Sequence, residues 1–402
     1  MSRVDQVQTI LRGEFPLISN QGLIYLDSAA TTLKPLSVLE TKMEFYRDAY
    51  ATVNRSLYPR AQKATKDYFS ARTLIAKKIS SSDSQGIIFT KGATDGLNQA
   101  AHFLTQLVPH GAEILISPLE HHANYLPFKA LEKKGLLKVV DLPILVDGKV
   151  DWKSFEKMDT SRVKALSIAH VSNVTGVEQD LKRLGDLCQD QNWIFIVDAA
   201  QSIATKLIDV EWMKIDFMAF SAHKMYGPTG VGALYIAPRF LDLLEPLTYG
   251  GDMIAAFDEE MIYQPAPFKF EAGTPPIGEI IGWKAALEWL EKEEVVLATA
   301  HLGEIQKRYA ECLTKIPNVE LISANDATSM VTCVLKKGHP MDMALLLGQK
   351  GIEIRSGSLC ALPALKHYSA NAFFRISLGV YNTLDEVDLF MEQFETILKK
   401  IS

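Results

Sequence analysis

Polar side chains that could take part in chemistry follow short apolar runs at four places in the sequence. Lys224 and Asp198 each stand at or near the end of such a run, and Asn173 stands after another. A partly desolvated lysine amine can attack a carbonyl carbon, and a buried carboxylate can hold a cation beside it. The fourth run leads into a glycine-rich turn, residues 92–96, before a predicted helix. Because backbone N–H groups at a helix start bind anions, the four positions indicate a ligand with a carbonyl, a cationic atom and an anionic group.

Pyridoxal phosphate is a cofactor that requires this combination of protein groups. It needs an amine for covalent attachment, an acid that keeps its ring nitrogen protonated, and an anion site for its phosphate. Lys224 supplies the amine and Asp198 supplies the acid. The hydroxyl groups of Thr94 and Ser221, with the backbone of the turn, can hold the phosphate. The residues therefore predict this cofactor.

Each of these residues, taken singly, also has an ordinary explanation. A lysine after a strand is usually a solvated surface residue, and an aspartate there usually caps a helix or forms a turn. The combination is far more specific, because Asp198 and Gln201 are followed by Ser-x-His-Lys-x-x-Gly-Pro-x-Gly at residues 221–230. The composite pattern, rather than any one residue, indicates the cofactor site.

The segment at residues 220–232 resembles the lysine motif of the class V aminotransferase family. More narrowly, the chain is similar to group II cysteine desulfurases of the SufS/CsdA type, and the similarity runs from about residue 25 to residue 382. The other matching segments occur in the family's order. They are Tyr25-Leu-Asp-Ser-Ala-Ala-Thr, Glu120-His-His-Ala-Asn, His170-Val-Ser-Asn-Val-Thr-Gly, Val197-Asp-Ala-Ala-Gln, Glu271-Ala-Gly-Thr-Pro, Arg355-x-Gly-x-x-Cys-Ala and Arg375-x-Ser-Leu-x-x-Tyr-Asn.

The resemblance implies a role for each residue around the cofactor ring. Lys224 would carry pyridoxal phosphate covalently, and Asp198 would pair with the ring nitrogen. Gln201 would bond the phenolic oxygen. His121 would stack on the ring and help to move protons, although a histidine at this position could also be an ordinary polar residue at a helix start.

The resemblance also implies where the substrate and the phosphate bind. Arg375 would clamp the substrate carboxylate, because a planar guanidinium group suits a carboxylate better than an ammonium group does. The alternative for Arg375 is a structural salt bridge. Asn173 would touch the cofactor or the substrate carboxylate. The phosphate would be held by Ala93, Thr94, Ser221 and His223 of one subunit and by Thr274 of the other subunit of a homodimer.

Cys360 lies in a segment, residues 356–363, whose glycine and serines predict a loop. A loop cysteine can expose its thiolate and move. The resemblance implies that L-cysteine is converted to L-alanine and that its sulfur passes to Cys360 as a persulfide. We interpret Cys188, Cys312 and Cys333 as structural, because each lies in a helix-like or strand-like apolar pattern.

The sequence departs from the family pattern at three places. Ser358 and Leu359 replace the His-His pair that usually precedes the cysteine, Asn54 replaces a histidine, and Pro276 replaces an asparagine. These changes could alter substrate preference or activity without affecting cofactor binding.

Several functions are compatible with such a site. The first hypothesis is a cysteine desulfurase that feeds iron–sulfur cluster assembly or another sulfur pathway through a SufE-like acceptor protein. Selenocysteine lyase and cysteine sulfinate desulfinase share the cofactor site but depend less on the cysteine. Another class V transaminase, lyase or epimerase would not need Cys360. A non-catalytic scaffold is disfavoured, because Lys224, Asp198, Arg375 and Cys360 are all present.

The alternation of apolar runs with amphipathic segments predicts an α/β fold around a mainly parallel sheet that is covered on both faces. The resemblance implies the fold type I of pyridoxal-phosphate-dependent transferases. We expect residues 20–265 to form a large cofactor-binding domain. Residues 266–402, with residues 1–19, would form a smaller α+β domain; the boundary is inferred from the proline and glycine content of residues 265–273.

Composition narrows the expected partners and location. The formal net charge of −6 argues against nucleic acid or an anionic membrane as the main partner. The sequence shows neither a signal-peptide pattern nor an apolar run of about 18 residues, so no membrane span is expected. The four cysteines form no CxxC pair, and neither disulfides nor a metal site are expected. We therefore expect a protein of the reducing cytoplasm.

Overall fold

The computed structural model describes residues 3–257, 261–323, 327 and 329–401. Fourteen α-helices lie within these ranges. They are α1 (Arg3–Gly13), α2 (Pro16–Gln21), α3 (Leu36–Glu44), α4 (Pro59–Lys78), α5 (Ala93–Leu107), α6 (His122–Lys133), α7 (Trp152–Phe155), α8 (Leu181–Asp190), α9 (Pro238–Leu241), α10 (Ile277–Leu290), α11 (Glu293–Thr314), α12 (Pro340–Gly348), α13 (Leu362–His367) and α14 (Asp385–Ile401).

The strands alternate with these helices in the first two thirds of the described chain and form smaller sheets in the last third. They are β1 (Ile24–Tyr25), β2 (Ile87–Thr90), β3 (Ala112–Ile116), β4 (Leu137–Asp141), β5 (Val163–Ala169), β6 (Ile194–Asp198), β7 (Phe217–Ser221), β8 (Gly232–Ile236), β9 (Ile254–Phe257), β10 (Met261–Tyr263), β11 (Val319–Leu321), β12 (Met330–Leu335), β13 (Ile352–Glu353), β14 (Arg355–Gly357) and β15 (Phe373–Ser377).

The central sheet has the strand order β2-β8-β7-β6-β5-β3-β4. Strand β8 runs antiparallel to both neighbours, and the other neighbouring pairs are parallel. Every residue of β2, β3, β6, β7 and β8 is buried, which is expected for a sheet that helices cover on both faces. The predicted α/β fold with a mainly parallel sheet is confirmed.

A second sheet lies towards the carboxyl end of the chain, with the antiparallel order β11-β12-β15-β14. It packs with α11, α12 and α14 around its own core, which includes Ile305, Tyr309, Phe374 and Phe394. Helix α10 and the side chains of Leu11 and Phe15 belong instead to the core of the central sheet. The boundary near residue 265 stays a prediction. None of the helices in the described part of the chain combines the length and the apolar character needed to span a bilayer.

The parallel strands place the chemically interesting residues at one edge of the central sheet. Asp198 is the last residue of β6 and Ser221 is the last residue of β7. Lys224 ends the single 3₁₀ turn that follows β7, and Asn173 and His121 follow β5 and β3. Because the carboxyl ends of parallel strands meet at the same edge, these residues come together although they are far apart in sequence.

A buried ion pair joins helix α4 to the segment that carries Thr274. Arg72 is 2 % exposed, and its two terminal nitrogens donate to the Glu271 carboxylate at 2.8 Å. The hydroxyl of Tyr68 and the N–H of Phe89 donate to the same carboxylate at 2.8 and 2.6 Å. Four donors therefore serve one carboxylate that has little access to water.

Replacing Arg72 with methionine would leave the Glu271 carboxylate buried without its counter-charge. We expect the free energy of unfolding to fall by about 3–5 kcal/mol, measured by urea denaturation. The control is Arg308→Met, because Arg308 makes an exposed ion pair with Asp388 at 3.4 Å. Losing an exposed pair should cost less than about 1 kcal/mol. Similar losses in both variants would contradict this interpretation of the buried pair.

Candidate active site

A cavity of about 270 Å³ opens at the carboxyl edge of the central sheet, and strands β14 and β15 of the second sheet contribute to its wall. Nearly all of the residues predicted to form a site line this cavity. They are Ala93, Thr94, His121, Asn173, Asp198, Gln201, Ser221, His223, Lys224, Cys360 and Arg375. The fold therefore brings together residues from seven separate segments of the chain.

One end of the cavity is built to receive an anion. Helix α5 begins at Ala93 directly after Gly92, and the Ala93 N–H donates to the Ser221 hydroxyl oxygen at 2.7 Å. This bond orients the hydroxyl, whose own proton is left to donate to a ligand. A Cβ on Gly92 would lie 3.2 Å from the same oxygen, so glycine keeps the turn close to Ser221. Thr94 lies in the first turn of the helix, where the helix dipole favours a negative charge.

His223 lies at the same end of the cavity. Its Nδ1 atom is 3.2 Å from the Thr31 hydroxyl oxygen. Burial lowers the pKa of His223 to about 4, and the nearby cations of Lys224 and Lys34 act in the same direction. The imidazole is therefore neutral near pH 7 and can offer an N–H to an anion without carrying a charge.

The cavity brings the partly buried Lys224 and the buried Asp198 together, and their opposite charges interact. Burial lowers the pKa of Lys224 to about 8, while the Asp198 carboxylate raises it and the Arg375 guanidinium lowers it further. The neutral, nucleophilic form of the amine is therefore accessible close to neutral pH. The Asp198 carboxylate accepts the Ala200 N–H at 2.9 Å, which fixes its orientation. Burial raises the pKa of Asp198, and this bond and Lys224 oppose that rise.

His121 both caps helix α6 and faces the cavity. Its Nδ1 atom accepts the Ala123 N–H at 3.1 Å, so the ring proton must be on Nε2. Burial lowers the pKa of His121 to about 4, with Lys224 as the next cause. The two explanations that the sequence left open for this histidine are therefore compatible. It stands at a helix start, and it presents a neutral ring to the cavity.

Arg375 and Asn173 form the opposite wall. Arg375 is 3 % exposed, and its Nη1 atom donates to the backbone oxygen of Asn173 at 2.8 Å. Its Nη2 atom donates to Asp27 at 3.2 Å, so the salt bridge considered from the sequence is present. The Nε atom has no partner among the described residues. Arg375 thus holds a salt bridge and lines the cavity at the same time.

Sequence reasoning missed two charged groups at this wall. Arg355 lines the cavity, and its Nη1 atom lies 3.9 Å from the Asp27 carboxylate. Burial raises the pKa of Asp27, and the two arginines oppose that rise. Asp27 and Arg355 both lie inside motifs that carry the family resemblance. Their position in those motifs could have identified them as candidate site residues. A second guanidinium beside Arg375 strengthens the case for a carboxylate-binding wall.

Gln201 and Thr274 differ in how the structure places them. Gln201 lines the cavity, and its side-chain nitrogen donates to the Ala29 backbone oxygen at 2.9 Å. Its amide oxygen therefore has a defined direction. Thr274 is exposed and is not among the residues that line the cavity of its own chain. A phosphate contact from Thr274 therefore requires a second copy of the chain.

Cys360 is exposed and lines the cavity, as expected for a working thiol in a loop. Cys188 and Cys333 are buried, and burial raises the pKa of both thiols, which keeps them protonated and inert. Cys312 is partly buried on α11. Leu359 and Cys360 both have left-handed backbone φ angles, 51° and 55°. The loop that carries the thiol is therefore a tight turn rather than an extended segment.

The class-V aminotransferase family model matches residues 24–390. The chain therefore belongs to the class-V aminotransferase family. A probable cysteine desulfurase of Pseudomonas putida is 36% identical over 388 residues, which cover 96% of both chains. A cysteine desulfurase of Escherichia coli is 34% identical and covers 96% of this chain and 97% of its own. The similarity to cysteine desulfurases that the motifs indicated is confirmed.

Solved structures of similar proteins extend this likeness to three dimensions. The Escherichia coli cysteine desulfurase CsdA, in an S-sulfonic acid form, has a TM-score of 0.92 at 33% identity and covers 98% of this chain and 99% of its own. The apo cysteine desulfurase of Thermococcus onnurineus has a TM-score of 0.92 at 34% identity and covers 98% of each chain. The predicted fold type I is confirmed.

The electrostatics of the cavity lead to a titration prediction for Lys224. In cofactor-free protein, the rate at which acetic anhydride acetylates Lys224 should rise as the pH passes through about 8, because the neutral amine is the nucleophile. Asp198→Asn removes a group that raises the pKa of Lys224, so the midpoint should fall. Arg375→Met removes a group that lowers that pKa, so the midpoint should rise. Mass spectrometry of the Lys224 peptide gives the rates, and shifts of the same sign would refute the interpretation.

Proposed function

We propose that the cavity binds pyridoxal phosphate on Lys224 and that the protein converts L-cysteine to L-alanine, leaving the sulfur as a persulfide on Cys360. The observation that carries the proposal is that one cavity is lined by a lysine amine, a buried carboxylate and an exposed thiol, from Lys224, Asp198 and Cys360. The cysteine desulfurases to which the chain is similar support the same reaction.

The residues present fit the cofactor. The neutral amine of Lys224 can attach it, and the Asp198 carboxylate can hold a protonated ring nitrogen. The start of α5 and the Ser221 hydroxyl can receive its phosphate, and the neutral ring of His121 can stack on it. When bound, pyridoxal phosphate withdraws electrons from the substrate's α-carbon and so makes the neighbouring bonds easier to break.

The arginine wall would bind and orient the substrate. Arg375 is held from behind by the Asn173 backbone oxygen and by Asp27, so its position is set before the substrate arrives. Arg375 and the neighbouring Arg355 both line the cavity, so their guanidinium groups can meet the substrate carboxylate. This contact would point the substrate's sulfur towards Cys360. Lys224 would accept and return the proton of the α-carbon, and His121, with its proton on Nε2, would assist.

The sulfur transfer balances without an external oxidant. The Cys360 thiolate attacks the substrate sulfur, a sulfur–sulfur bond forms, and the substrate's carbon–sulfur bond breaks. The electron pair of the broken bond stays with carbon, which takes up a proton to become the methyl group of alanine. Cys360 then holds a persulfide that another thiolate can remove. The S-sulfonic acid form of CsdA shows that sulfur oxidation has occurred in that relative.

The proposal includes a homodimer and a sulfur acceptor. Thr274 lies outside the cavity of its own chain, which supports a contribution to the site of a second copy. Leu36, Leu39, Met43 and Tyr50 are between 43% and 62% exposed, and such an apolar surface commonly packs against a partner. The family resemblance suggests a SufE-like acceptor protein. A reducing cytoplasm would suit an exposed thiol that must remain reduced.

Substitution of the two reactive residues separates cofactor binding from sulfur transfer. Cys360→Ala should keep the near-visible absorbance of the bound cofactor but lose formation of alanine and sulfide from cysteine by at least about 100-fold, because an external thiol lacks the alignment of a bound one. Lys224→Ala should lose both properties. Cys312→Ala is the matched control and should retain both. Full activity in Cys360→Ala would exclude the persulfide mechanism and favour a lyase or a transaminase that uses the same cofactor site.

The role of Thr274 can be tested by complementation between subunits. Thr274→Asp places a negative charge where the phosphate would bind, so we expect this variant and Lys224→Ala to be inactive on their own. A mixed dimer contains one site with Lys224 from one chain and Thr274 from the other. Unfolding and refolding the two variants together should therefore restore measurable desulfurase activity. An inactive mixture, with dimers present by size-exclusion chromatography, would place Thr274 outside its partner's site.

A further inference from the structure

We propose that His122 is a positioning residue that holds the thiol loop, residues 358–361, against the cavity. The proposal rests on the function proposed above, because it assigns the loop the task of presenting Cys360 to the substrate. His122 stands between His121 and Ala123, which both line the cavity. Its own ring makes contact with helix α13 instead.

Two hydrogen bonds with His122 hold the main chain directly after the thiol. The His122 N–H donates to the backbone oxygen of Cys360 at 2.7 Å. The Nε2 atom of the ring accepts the backbone N–H of Leu362 at 3.1 Å. The two peptide groups that directly follow the Cys360 side chain are therefore both tied to one residue. His122 directly follows His121, whose ring faces the cavity. The loop that carries the thiol is therefore attached to the same short segment that carries this ring.

The ring of His122 accepts a backbone N–H at the start of helix α13, where no local side chain does so. Helix α13 begins at Leu362, and Ala361 before it provides no side-chain cap. The first N–H groups of a helix have no partner within the helix and need one from elsewhere. His122 supplies that partner from 240 residues away. To accept this bond the Nε2 atom must be unprotonated, so the ring carries its proton on Nδ1.

The thiol loop needs such support because its backbone is strained. Leu359 and Cys360 have φ angles of 51° and 55°, a region that residues with a Cβ rarely occupy. Such conformations persist where the surroundings fix them by several contacts. Asn173 donates its side-chain N–H to the Leu359 oxygen at 2.7 Å, and His122 holds the next carbonyl along the chain. Asn173 on one wall of the cavity and His122 on the other thus bind two successive carbonyl groups, those of Leu359 and Cys360.

Departures from the family pattern make His122 more important in this chain. Ser358 and Leu359 stand where the family usually has two histidines before the cysteine. The Leu359 side chain is 6 % exposed and packs into a small apolar cluster with Val174 and Phe373. This packing anchors the loop but offers no polar contact. Besides the loop's own hydrogen bond from the Ala361 N–H to the Ser358 oxygen at 3.0 Å, His122 and Asn173 make polar contacts with the loop from other segments.

The expected consequence is a kinetic effect with a specific pattern. Sulfur transfer requires the two sulfur atoms to be aligned, and a displacement of about 1 Å can cost about 100-fold in rate. Since the ring of His122 faces α13, its loss should not disturb the cofactor or the arginine wall. His122→Ala should therefore lower kcat for alanine formation by about 10- to 100-fold. KM for cysteine and the cofactor absorbance should remain unchanged.

The experiment compares His122→Ala with His122→Gln and with a control histidine. The amide oxygen of glutamine can accept a hydrogen bond near the position of Nε2, so His122→Gln should recover most of the lost kcat. His102→Ala is the control, because His102 is exposed on α5 and its ring Nδ1 atom lies 2.9 Å from the Asn98 backbone oxygen of its own helix, away from the thiol loop. A kcat for His122→Ala equal to wild type, or no recovery in His122→Gln, would overturn the proposal. So would a rise in KM that accounts for the loss.

Hydrogen exchange separates this proposal from the proposed function. In His122→Ala the backbone amides of Ala361, Leu362 and residues 364–366 should exchange faster than in the wild-type protein, and His122→Gln should restore the slower rate. This readout does not depend on turnover. If Cys360→Ala remained fully active, the proposed function would fail, while exchange would still report on the contact between His122 and the loop. Unchanged exchange in His122→Ala would reject that contact.

Discussion

Buried charges of opposite sign, gathered at the carboxyl edge of the central sheet, are the interaction on which the site depends. Asp198 is 5 % exposed and Arg375 is 3 % exposed. Burying one such ion without a partner would cost roughly several kcal/mol of folding free energy, even after the surrounding protein relaxes. Asp198 and Asp27 offset this cost for Lys224 and Arg375. Each charge therefore sets the protonation of its neighbours, and the group works only when the fold assembles all of it.

The two sheets contribute different halves of this arrangement. The central sheet provides the amine, the carboxylate and the anion end, because its parallel strands finish at one edge. The second sheet provides Arg355 from β14 and Arg375 from β15, which are paired across an antiparallel register. The main chain also contributes, since Asp27 forms a parallel bridge with Ser377, the last residue of β15. A cavity between two such frames can receive a substrate carboxylate on one side and a cofactor on the other.

The parts of the structure that the sequence predicts are those with a local signal. A strand that is buried on both faces is a short apolar run, and a polar residue after it is visible at once, as with Asp198 and Lys224. Strand direction has no such signal, because the apolar run of the antiparallel strand β8 looks like those of the parallel strands in the same sheet. Asp27 and Arg355 lie within recognisable motifs, but their contact joins residues 328 positions apart along the chain. Only the folded chain shows that they meet.

Cys360 must satisfy two opposing requirements, and the structure shows how they are reconciled. A thiol that accepts sulfur has to be exposed, since burial keeps Cys188 and Cys333 protonated. An exposed thiol on a free loop would lose its alignment with the substrate. Here the exposed side chain stands on a backbone that is held at successive carbonyl groups. Asn173 makes one of these contacts with its side chain while its own backbone oxygen holds Arg375.

That double use of Asn173 has a structural consequence. The group that would fix the substrate carboxylate and the group that would fix the sulfur acceptor are tied to the same residue, at 2.8 and 2.7 Å. The distance between arginine and thiol is therefore set by a short, buried and hydrogen-bonded path rather than by a flexible loop. A substrate of the length of cysteine would have to span this distance, with its carboxylate at the arginine and its sulfur at the thiol. Local replacement of the residues before the thiol, as at Ser358 and Leu359, leaves that path intact.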